Sequence, residues 1–519
     1  MFCRSAIGRF FAVLTLTIVL PIAVSTCQSQ TYNTSFNRHV FTTGNAVSFS
    51  LQNTHGIAGD VRLLSYGSKS VQTIHVKANE NKTVSLGSNL QTGVYWLTNP
   101  DGTILDTFGV LPNPSRKTSP ENSPFGVFYA YTDNPSTGWN NVYNMLDSLT
   151  MAGIPWVRAT TMVTPTNDAA TSFDWSARDN FVNAINQHGM LLLSVFEPID
   201  FPTTWTTNGS ARLWQNPKTL AAVQDYVTHY RGKLKYFEVW NEANGVQLDS
   251  QYEAFARVFY ATTKAANAGA VVVQTGLASP QYSGQWGAEL GPTAQSKYLS
   301  AGLKSCTDVY NFHFYPYQWR TRTIVNQYMN VYKTYGVSKP VWVTENGEDY
   351  DPTGISAQQA AAQYLVQSAV TCFGSGVNKY FWFLAADHPL SHGVLNVAEN
   401  CRPRAVFVAY GVLTKMLDNV DISNSAHINS TTTDGYIFKA AAGAEEVAVA
   451  WAKSSTVQID PRTLLGTTTP VAVYDIMGCA VPLTNGLLSL SQTPVYITPV
   501  SSGVRAGRHR QETAQWAGS

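Results

Sequence analysis

Eight short apolar segments recur between residues 125 and 387, and amphipathic stretches of helical spacing separate them. The segments are FGVFYAY (125–131), IPWVRAT (154–160), MLLLSVFEP (190–198), LKYFEVWNE (234–242), AVVVQTGLAS (270–279), VYNFHFYP (309–316), PVWVTENG (340–347) and KYFWFLAAD (379–387). Eight strand–helix units in roughly 290 residues match the usual size of a (β/α)8 barrel. A doubly wound open sheet is the alternative, but it normally has a glycine-rich phosphate turn after its first strand, and this chain has none there. We therefore predict an α/β fold with a (β/α)8 barrel over residues 125–412.

Short alternating strands with turn signals precede and follow the barrel. Their period-two pattern predicts two small β-sandwiches, one on each side. A linker rich in Pro, Ser and Asn joins the first sandwich to the barrel, and a polar tail without periodicity is predicted to be disordered. The predicted order is a signal peptide (1–29), an N-terminal β-sandwich (30–111), a linker (112–124), the barrel (125–412), a C-terminal β-sandwich (413–500) and the tail (501–519).

The N-terminus has the layout of a secretory signal peptide. Arg4 and Arg9 precede an apolar run from Phe10 to Val24, which is too short for a comfortable membrane span. We therefore predict a secreted protein, extracellular, periplasmic or at the cell surface, without stable membrane insertion after cleavage. Export permits disulfides, and Cys306 and Cys372 are predicted to pair. The sequons at Asn33, Asn81, Asn208 and Asn429 predict a glycoprotein where the source organism glycosylates.

Charge and motif content exclude several classes of partner. The chain has 34 Lys and Arg against 33 Asp and Glu, and no basic run interleaved with aromatic residues precedes the tail. Nucleic acid is therefore not an expected partner. The chain has no HExxH motif, no cluster of Cys and His ligands and no Walker turn, so neither a metal nor an organic cofactor is expected. The sequence leaves the oligomeric state open.

Polar residues collect where the predicted strands end. The C-terminal strand ends of a (β/α)8 barrel form its active-site face. On strand six, Asn311, His313 and Tyr315 alternate with aromatic residues, so these three are predicted to face the lumen. The candidate site residues are Arg158 on strand two, Asn241 and Glu242 on strand four, His313 and Tyr315 on strand six, Glu345 on strand seven and Trp382 on strand eight.

Glu242 and Glu345 would face each other across the barrel mouth. Two carboxyl groups with different neighbours are what glycoside hydrolysis requires, one protonated to assist the leaving oxygen and one ionised to attack the anomeric carbon. A nearby Arg158 would keep one of them charged, and the less compensated one would stay protonated. Glu238 has the same parity as Glu242 and is predicted to support the site by pairing with Arg158 or Lys235.

The motifs WNEAN (240–244) and VTENG (343–347) resemble the acid/base and nucleophile motifs of clan A of the glycoside hydrolases, which are retaining (β/α)8 enzymes. Within the clan, FEVWNEAN is most similar to family 39. The resemblance implies that Glu242 is the general acid/base and Glu345 the nucleophile. It further implies that Asn241 binds the sugar 2-hydroxyl, that Arg158 supports the nucleophile, that His313 or Tyr315 contacts the nucleophile or the sugar, and that Trp382 forms the aromatic floor of the subsite.

The predicted protein is a glycosidase that cleaves β-linked oligo- or polysaccharides with retention. Two alternatives use the same architecture. One is a carbohydrate-binding barrel without catalysis, which the presence of both glutamates disfavours. The other is a transglycosylase, which uses the same residues and excludes water. No loop carries a recognisable code for a particular sugar or for internal against terminal cleavage.

Overall fold

The computed structural model describes residues 32–113, 118–130, 138–196, 201–202, 215–245, 249–278, 291–315, 321–388, 392–441 and 445–500. The predicted signal peptide, the predicted tail and the sequon at Asn208 lie outside these ranges. Within them, no helix combines the length and hydropathy needed to cross a membrane.

Two β-sheets form the N-terminal region and share one apolar core. Val47, Phe49 and Leu51 alternate with exposed residues on one sheet and meet Leu63 and Phe108 of the other. This burial of one face of each sheet is the sandwich that the period-two pattern predicts. The strands are β1 (Tyr32–Ser35), β2 (Val40–Thr42), β3 (Val47–Asn53), β4 (Gly59–Ser65), β5 (Lys69–Val76), β6 (Asn81–Gly87), β7 (Gly93–Thr98) and β8 (Ile104–Leu111), in the orders β1-β3-β6 and β2-β8-β7-β4-β5.

Eight parallel strands form the predicted barrel. They are β9 (Phe125–Phe128), β10 (Trp156–Thr160), β11 (Leu191–Phe196), β12 (Tyr236–Val239), β13 (Val271–Val273), β14 (Tyr310–His313), β15 (Val341–Asn346) and β16 (Lys379–Phe383). Their order is β13-β12-β11-β10-β9-β16-β15-β14, and the parallel bridges Val273–Val309 and Leu277–Phe312 bring the two ends of the sheet together. The (β/α)8 architecture predicted from the strand–helix alternation is confirmed.

Helices surround the strands and cover their outer faces with apolar side chains. In the helix after β9, Val142, Met145, Leu146 and Leu149 are buried and follow the helical period. The helices are α1 (Trp139–Met151), α2 (Ser176–Gln187), α3 (Pro217–His229), α4 (Asp249–Ala266), α5 (Gly291–Ser300), α6 (Thr321–Thr334), α7 (Ile355–Gly374) and α8 (Ala405–Met416).

Large side chains fill the lower lumen, so the barrel is closed at its N-terminal end. This layer consists of Trp156, Leu193, Tyr236, Val273, Val309, Trp342 and Phe381. The segment that leads into β9 covers it, because the short helix Pro120–Asn122 is held by Lys235 and Tyr236 through Glu121. Within the part of the chain that the structure describes, the C-terminal end of the lumen is the one left for a site.

A smaller β region follows the barrel. It has a five-stranded antiparallel sheet in the order β19-β20-β21-β25-β23 and a two-stranded ribbon, β22-β24, with an apolar core of their own. The remaining elements are β17 (Leu395–Asn396), β18 (Arg402–Pro403), β19 (Val420–Asn429), β20 (Thr433–Ala440), β21 (Val447–Ala452), β22 (Val457–Ile459), α9 (Pro461–Leu465), β23 (Val471–Asp475), β24 (Leu488–Leu490) and β25 (Val495–Pro499).

The predicted disulfide between Cys306 and Cys372 is wrong in this structure, where both thiols are free, as are those of Cys401 and Cys479. Cys306 ends the short helix Leu303–Cys306 that precedes β14, and its thiol donates to the Leu303 carbonyl oxygen at 3.5 Å. Cys372 is buried in α7. The two cysteines therefore lie in different parts of the layer around the barrel. Their positions near strand ends in the sequence did not reveal this separation.

Candidate active site

A buried guanidinium group is the centre of the polar cluster at the barrel mouth. Arg158 of β10 is 1% exposed and donates from Nε and Nη2 to both carboxylate oxygens of Glu238, at 2.7 and 2.8 Å. Its Nη1 donates to Oε1 of Glu345 at 2.6 Å, and Nη2 also donates to Oδ1 of Asn241 at 2.8 Å. One cation thus orders three side chains from two other strand ends, and Glu238 pairs with Arg158 rather than with Lys235.

Glu345 at the end of β15 is held as an anion. In addition to Arg158, the hydroxyl group of Tyr315 donates to its Oε2 at 2.6 Å. Burial acts to raise the pKa of Glu345, but the attraction of His313 and Arg158 and the hydrogen bonds from Tyr315 and Arg158 outweigh burial and lower the pKa below its ordinary value. A buried carboxylate whose two oxygens both accept charge-assisted or hydroxyl hydrogen bonds is oriented as well as ionised.

Glu242 has a different environment from Glu345. Its side chain is 34% exposed, against 8% for Glu345. The described contact of its carboxyl group is with the fully buried imidazole of His313, whose Nδ1 lies 3.0 Å from Glu242 Oε1 and 3.5 Å from Glu345 Oε2. His313 therefore stands between the two glutamates, and only Glu345 also contacts the guanidinium.

An unusual backbone course places Asn241 and Glu242 side by side at the mouth. Trp240 and Glu242 have positive φ angles of 68° and 50°. Such conformations cost of order 1–3 kcal/mol in non-glycine residues and persist only where packing imposes them. Here the Trp240 ring packs on Tyr252 and Phe255 of α4, and the Glu242 amide donates to the Gly276 carbonyl oxygen at 3.0 Å.

Asn241 presents one end of its amide to the mouth. Its Oδ1 accepts from Arg158, so the amino group of the amide is left to donate to a bound molecule. The residue is half-buried, and its backbone bridges to Gly276 on the neighbouring wall. This position, next to Glu242 and over Arg158, is compatible with the sugar contact that the motif resemblance implies.

The structure corrects the expectation for Trp382. Its side chain is fully buried and packs against Tyr364 of α7 with ring centroids 6.0 Å apart, so it faces the helices and not the lumen. The next residue, Phe383, is half-buried at the mouth, stacks on Phe128 at 5.3 Å and meets the edge of Tyr315 at 5.7 Å. Every residue from Tyr380 to Phe383 is aromatic, so the residue types did not reveal whether the odd- or the even-numbered residues face the lumen.

A metal ion is not the best explanation of this cluster. Ligand atoms of Glu242, His313 and Glu345 lie within 4.8 Å of one another, a spacing that a cation can bridge. However, Arg158 and Tyr315 already donate to the two oxygens of Glu345, and a guanidinium at 2.6 Å repels a second cation. The donor set fits proton transfer between ionisable groups better than metal coordination.

Most residues singled out from the sequence meet at this mouth: Arg158, Asn241, Glu242, His313, Tyr315 and Glu345. The prediction that Asn311, His313 and Tyr315 share the inner face of strand six is confirmed, since Tyr310 and Phe312 instead pack against Tyr332 and Tyr328 of α6. Sequence reasoning missed Thr344, Gly276 and Phe383. For Thr344 the signal was available, because it directly precedes the candidate nucleophile.

Comparisons with known proteins bear on the class and the fold of the chain. Residues 167–418 match the family model described as the glycosyl hydrolase catalytic core. No curated protein matches the chain in sequence. Among solved structures, a family 39 glycoside hydrolase from the gut symbiont Bacteroides cellulosilyticus WH2 is 20% identical, with a TM-score of 0.68 over 90% of this chain and 100% of that one. This likeness extends over the flanking β regions as well as the barrel.

Two further solved structures are similar at lower scores. A glucosidase from Croceicoccus marinus is 14% identical over 75% of this chain and 98% of that one, with a TM-score of 0.48. A family 30 subfamily 8 xylanase from Clostridium acetobutylicum is 13% identical over 73% and 96%, with a TM-score of 0.46. The match to the catalytic-core model and the barrel with paired glutamates at its mouth lead to one conclusion: the protein is a glycosidase, with a (β/α)8 glycosyl hydrolase catalytic core.

Proposed function

We propose that the protein is a secreted, retaining glycosidase that cleaves β-linked oligo- or polysaccharides by double displacement. The observation that carries the proposal is the closeness of the two glutamates, whose nearest carboxylate oxygens lie within 4.8 Å of each other. Retaining enzymes have carboxyl groups about 5–5.5 Å apart, whereas inverting enzymes leave about 6.5–9.5 Å for a water molecule. The spacing here favours direct attack by a carboxylate on the sugar.

The environments of the two glutamates support a division of roles. Glu345 is buried, ionised and oriented by Arg158 and Tyr315, as a nucleophile must be. Glu242 is more exposed and lies beside His313, where it can protonate the leaving oxygen and then take a proton from the incoming water. Asn241 would donate to the sugar 2-hydroxyl, and Phe383 would offer the apolar surface earlier assigned to Trp382.

Product stereochemistry tests retention directly. The wild-type protein would be screened on aryl β-glucosides, β-xylosides and β-mannosides, and the anomer formed first would be read by proton NMR before mutarotation. The β-anomer is expected. An α-anomer as first product would refute the double displacement. Added acceptor sugar distinguishes hydrolysis from transglycosylation by the products formed.

Substitution of the glutamates tests the roles. Glu345→Ala is expected to lower kcat about 10³-fold or more on every aryl glycoside. With an activated aryl leaving group, Glu242→Ala should spare the first step and slow the second, and azide should restore turnover as the β-glycosyl azide. Glu121→Gln, which changes a carboxylate at the closed end of the barrel, is the matched control. Full activity of either active-site variant would contradict the assignment and favour a different catalytic pair.

A further inference from the structure

The outer surface of α1 presents two neighbouring aromatic side chains to solvent. Tyr143 is 36% exposed, and Trp139, one turn before it, is half-buried. Single exposed apolar side chains are ordinary on protein surfaces, but two rings in contact form a continuous surface that a ligand can cover. Among the described residues, the other large apolar side chains with comparable exposure are not aromatic: Ile57, Val71, Met162 and Leu487.

A third ring extends this surface to the neighbouring helix. The ring centroids of Trp139 and Tyr143 are 6.3 Å apart, and the ring of His188, which follows α2, also lies 6.3 Å from Tyr143, with planes 19° apart. Two contacts fix His188, since Nδ1 lies 2.6 Å from the Ala184 carbonyl oxygen and Nε2 lies 3.1 Å from Asp147 Oδ1. Together, Trp139, Tyr143 and His188 form an aromatic row. A surface whose rings are fixed in advance loses little entropy when it binds a ligand.

Polar side chains beside the aromatic row indicate the kind of molecule that it can bind. Asn140, Asn144 and Asp147 are exposed on the same helix. Their amides and carboxylate can donate to and accept from hydroxyl groups. Helix α1 has no Lys or Arg to hold an anion, and its one carboxylate already contacts His188. Aromatic rings next to hydroxyl-binding groups, without a strong charge, suit a neutral saccharide, whose apolar C–H faces stack on such rings.

The aromatic row begins at the same end of the barrel as the two glutamates. In a (β/α)8 barrel each helix runs antiparallel to the strand before it, so the first residue of α1 lies at the C-terminal end of the strands. That residue is Trp139. The preceding strand, β9, ends at Phe128, whose ring stacks on Phe383 at the mouth and lies 5.0 Å from the Arg158 guanidinium. From this side of the mouth, the row leads along α1 towards His188.

Resting on the proposed function, we infer that the aromatic row is a second saccharide-binding surface, outside the catalytic mouth, for the polysaccharide that the enzyme cleaves. The rings would stack on sugar units of the chain, and Asn140 and Asn144 would bind their hydroxyl groups. A polymer held at the row has an increased local concentration at the mouth, because one chain joins the two contacts. A small glycoside that reaches only the mouth gains nothing from the row.

An aromatic pair one turn apart also has a purely structural explanation. Trp139 and Tyr143 are four residues apart, and such pairs stabilise a helix slightly. This role requires no exposed ring face and predicts no binding of polysaccharide. The two explanations therefore differ in what the loss of the rings changes, which is the melting temperature alone in one case and the affinity for polysaccharide in the other.

Affinity electrophoresis in gels that contain β-glucan, xylan or mannan measures binding to the row. The full chain with Glu345→Ala is used, so that the polymer stays intact. At least one polysaccharide is expected to retard it, and Trp139→Ala with Tyr143→Ala should weaken that binding about tenfold. Tyr143→Phe keeps the ring and should bind within about twofold of the parent. Tyr335→Ala, at a half-buried tyrosine that follows α6 at the closed end of the barrel, is the matched control.

Kinetics of the catalytically intact chain provide an independent measurement. Trp139→Ala with Tyr143→Ala should lower kcat/KM on the retarding polysaccharide about three- to tenfold, mainly through KM, and leave kcat/KM on aryl glycosides unchanged. Melting temperatures check that the variants are folded. Because Tyr143 is exposed, Tyr143→Ala alone is a milder variant, and its affinity should lie between those of the parent and the double variant.

Several results would overturn the inference. One is that no polysaccharide retards the chain, and another is that the double variant binds as tightly as its parent. An equal loss on aryl glycosides would also overturn it, as would wild-type self-association that the ring substitutions abolish, since the row would then bind a second copy of the chain. In each of these cases aryl glycoside cleavage would still depend on Glu242 and Glu345, so the proposed function would stand. A wild-type chain that cleaves no glycoside would instead contradict the proposed function.

Discussion

The barrel lumen holds a buried basic side chain at each end, and the two have different surroundings. Arg158 at the mouth is surrounded by carboxylates, with Glu238 and Glu345 both within 2.8 Å. Lys379 at the closed end donates to the backbone carbonyl oxygens of Glu121 and Ser123, at 2.6 and 2.9 Å, and lies over the Trp156 ring at 4.5 Å.

The comparison shows that the basic side chains at the two ends of the lumen have different roles. Arg158 at the mouth belongs to the candidate site, and Lys379 at the closed end is structural. A guanidinium keeps its charge in any protein environment, and two buried carboxylates need that charge. For the ammonium group at the closed end, burial outweighs the attraction of Glu121 and lowers the pKa of Lys379 to about 7. A permanent charge is thus present at the mouth, where Glu345 is held as an anion.

The largest effect is expected from Arg158→Met at the mouth. The variant leaves Glu238 and Glu345 buried without their cation, and breaking such a pair typically costs about 3–5 kcal/mol. The free energy of unfolding, measured in urea at pH 7, should fall by that amount, and activity should be lost. A variant as stable and active as wild type would show that the guanidinium does not sustain the two carboxylates.

At the closed end, Lys379→Met is expected to change the pH dependence of stability and not activity. The pKa of Lys379 is lowered from 10.5 to about 7 on folding, so the unfolded chain binds more protons between these values. Its contribution to stability is therefore gained as pH rises from about 7 towards 10 and lost as pH falls, by up to a few kcal/mol.

Urea unfolding of wild type and Lys379→Met at several pH values from 6 to 10 measures this slope. The variant should lack the rise, and its kcat/KM should match wild type. Equal slopes in the two proteins would contradict the low pKa, and a loss of activity in the folded variant would contradict the structural role.

Two glycines, one at the mouth of the lumen and one near its closed end, allow the effects of overpacking at the two ends to be compared. A Cβ at Gly276 would lie 1.9 Å from the His313 ring, and one at Gly126 would lie 2.4 Å from the Phe381 ring in the lower lumen. Each Gly→Ala variant should lose about 1–3 kcal/mol of stability through overpacking.

Only Gly276→Ala should also lower kcat, by about 10–100-fold, since it displaces the imidazole between the glutamates. Melting temperatures and aryl glycoside kinetics of both variants check this. If Gly126→Ala lowers kcat equally at the same melting temperature, the loss at Gly276 cannot be assigned to His313.

The smallest effect is expected from Tyr315→Phe, which removes one hydrogen bond to Glu345. The pKa of Glu345 is lowered partly by that bond, so its loss should raise the pKa and move the acidic limb of kcat/KM upward by about half to one unit. Tyr236→Phe removes a hydroxyl group that donates to Glu121 at the closed end and should leave the limb in place. An unchanged limb in Tyr315→Phe would show that Arg158 and His313 suffice.

Much of the barrel could be predicted because its periodicities are local. Strand–helix alternation and the position of polar residues at strand ends depend only on which residues are buried, so Glu242 and Glu345 could be paired across about a hundred residues of sequence. Alternation on strand six predicted correctly that His313 faces inward, because polar and aromatic residues there have opposite parity.

The same reasoning failed where polar and apolar residues do not alternate along a strand. On strand eight the run from Tyr380 to Phe383 is wholly aromatic, and the register of β16 against β9 and β15 decided that Phe383 and not Trp382 reaches the mouth. The cysteine pairing failed for a related reason, since positions near strand ends do not specify which sector of the helix layer a side chain enters.

The sequence by itself therefore determined the barrel, its two glutamates and the chemical class of the site, because these depend on residue type and local period. Only the tertiary structure decided that Arg158 joins Glu238 to Glu345, that His313 stands between the two catalytic candidates and that Thr344 and Gly276 confine its ring. Those contacts join residues on different strands at distances near 3 Å, and strand register and side-chain rotamers set them together.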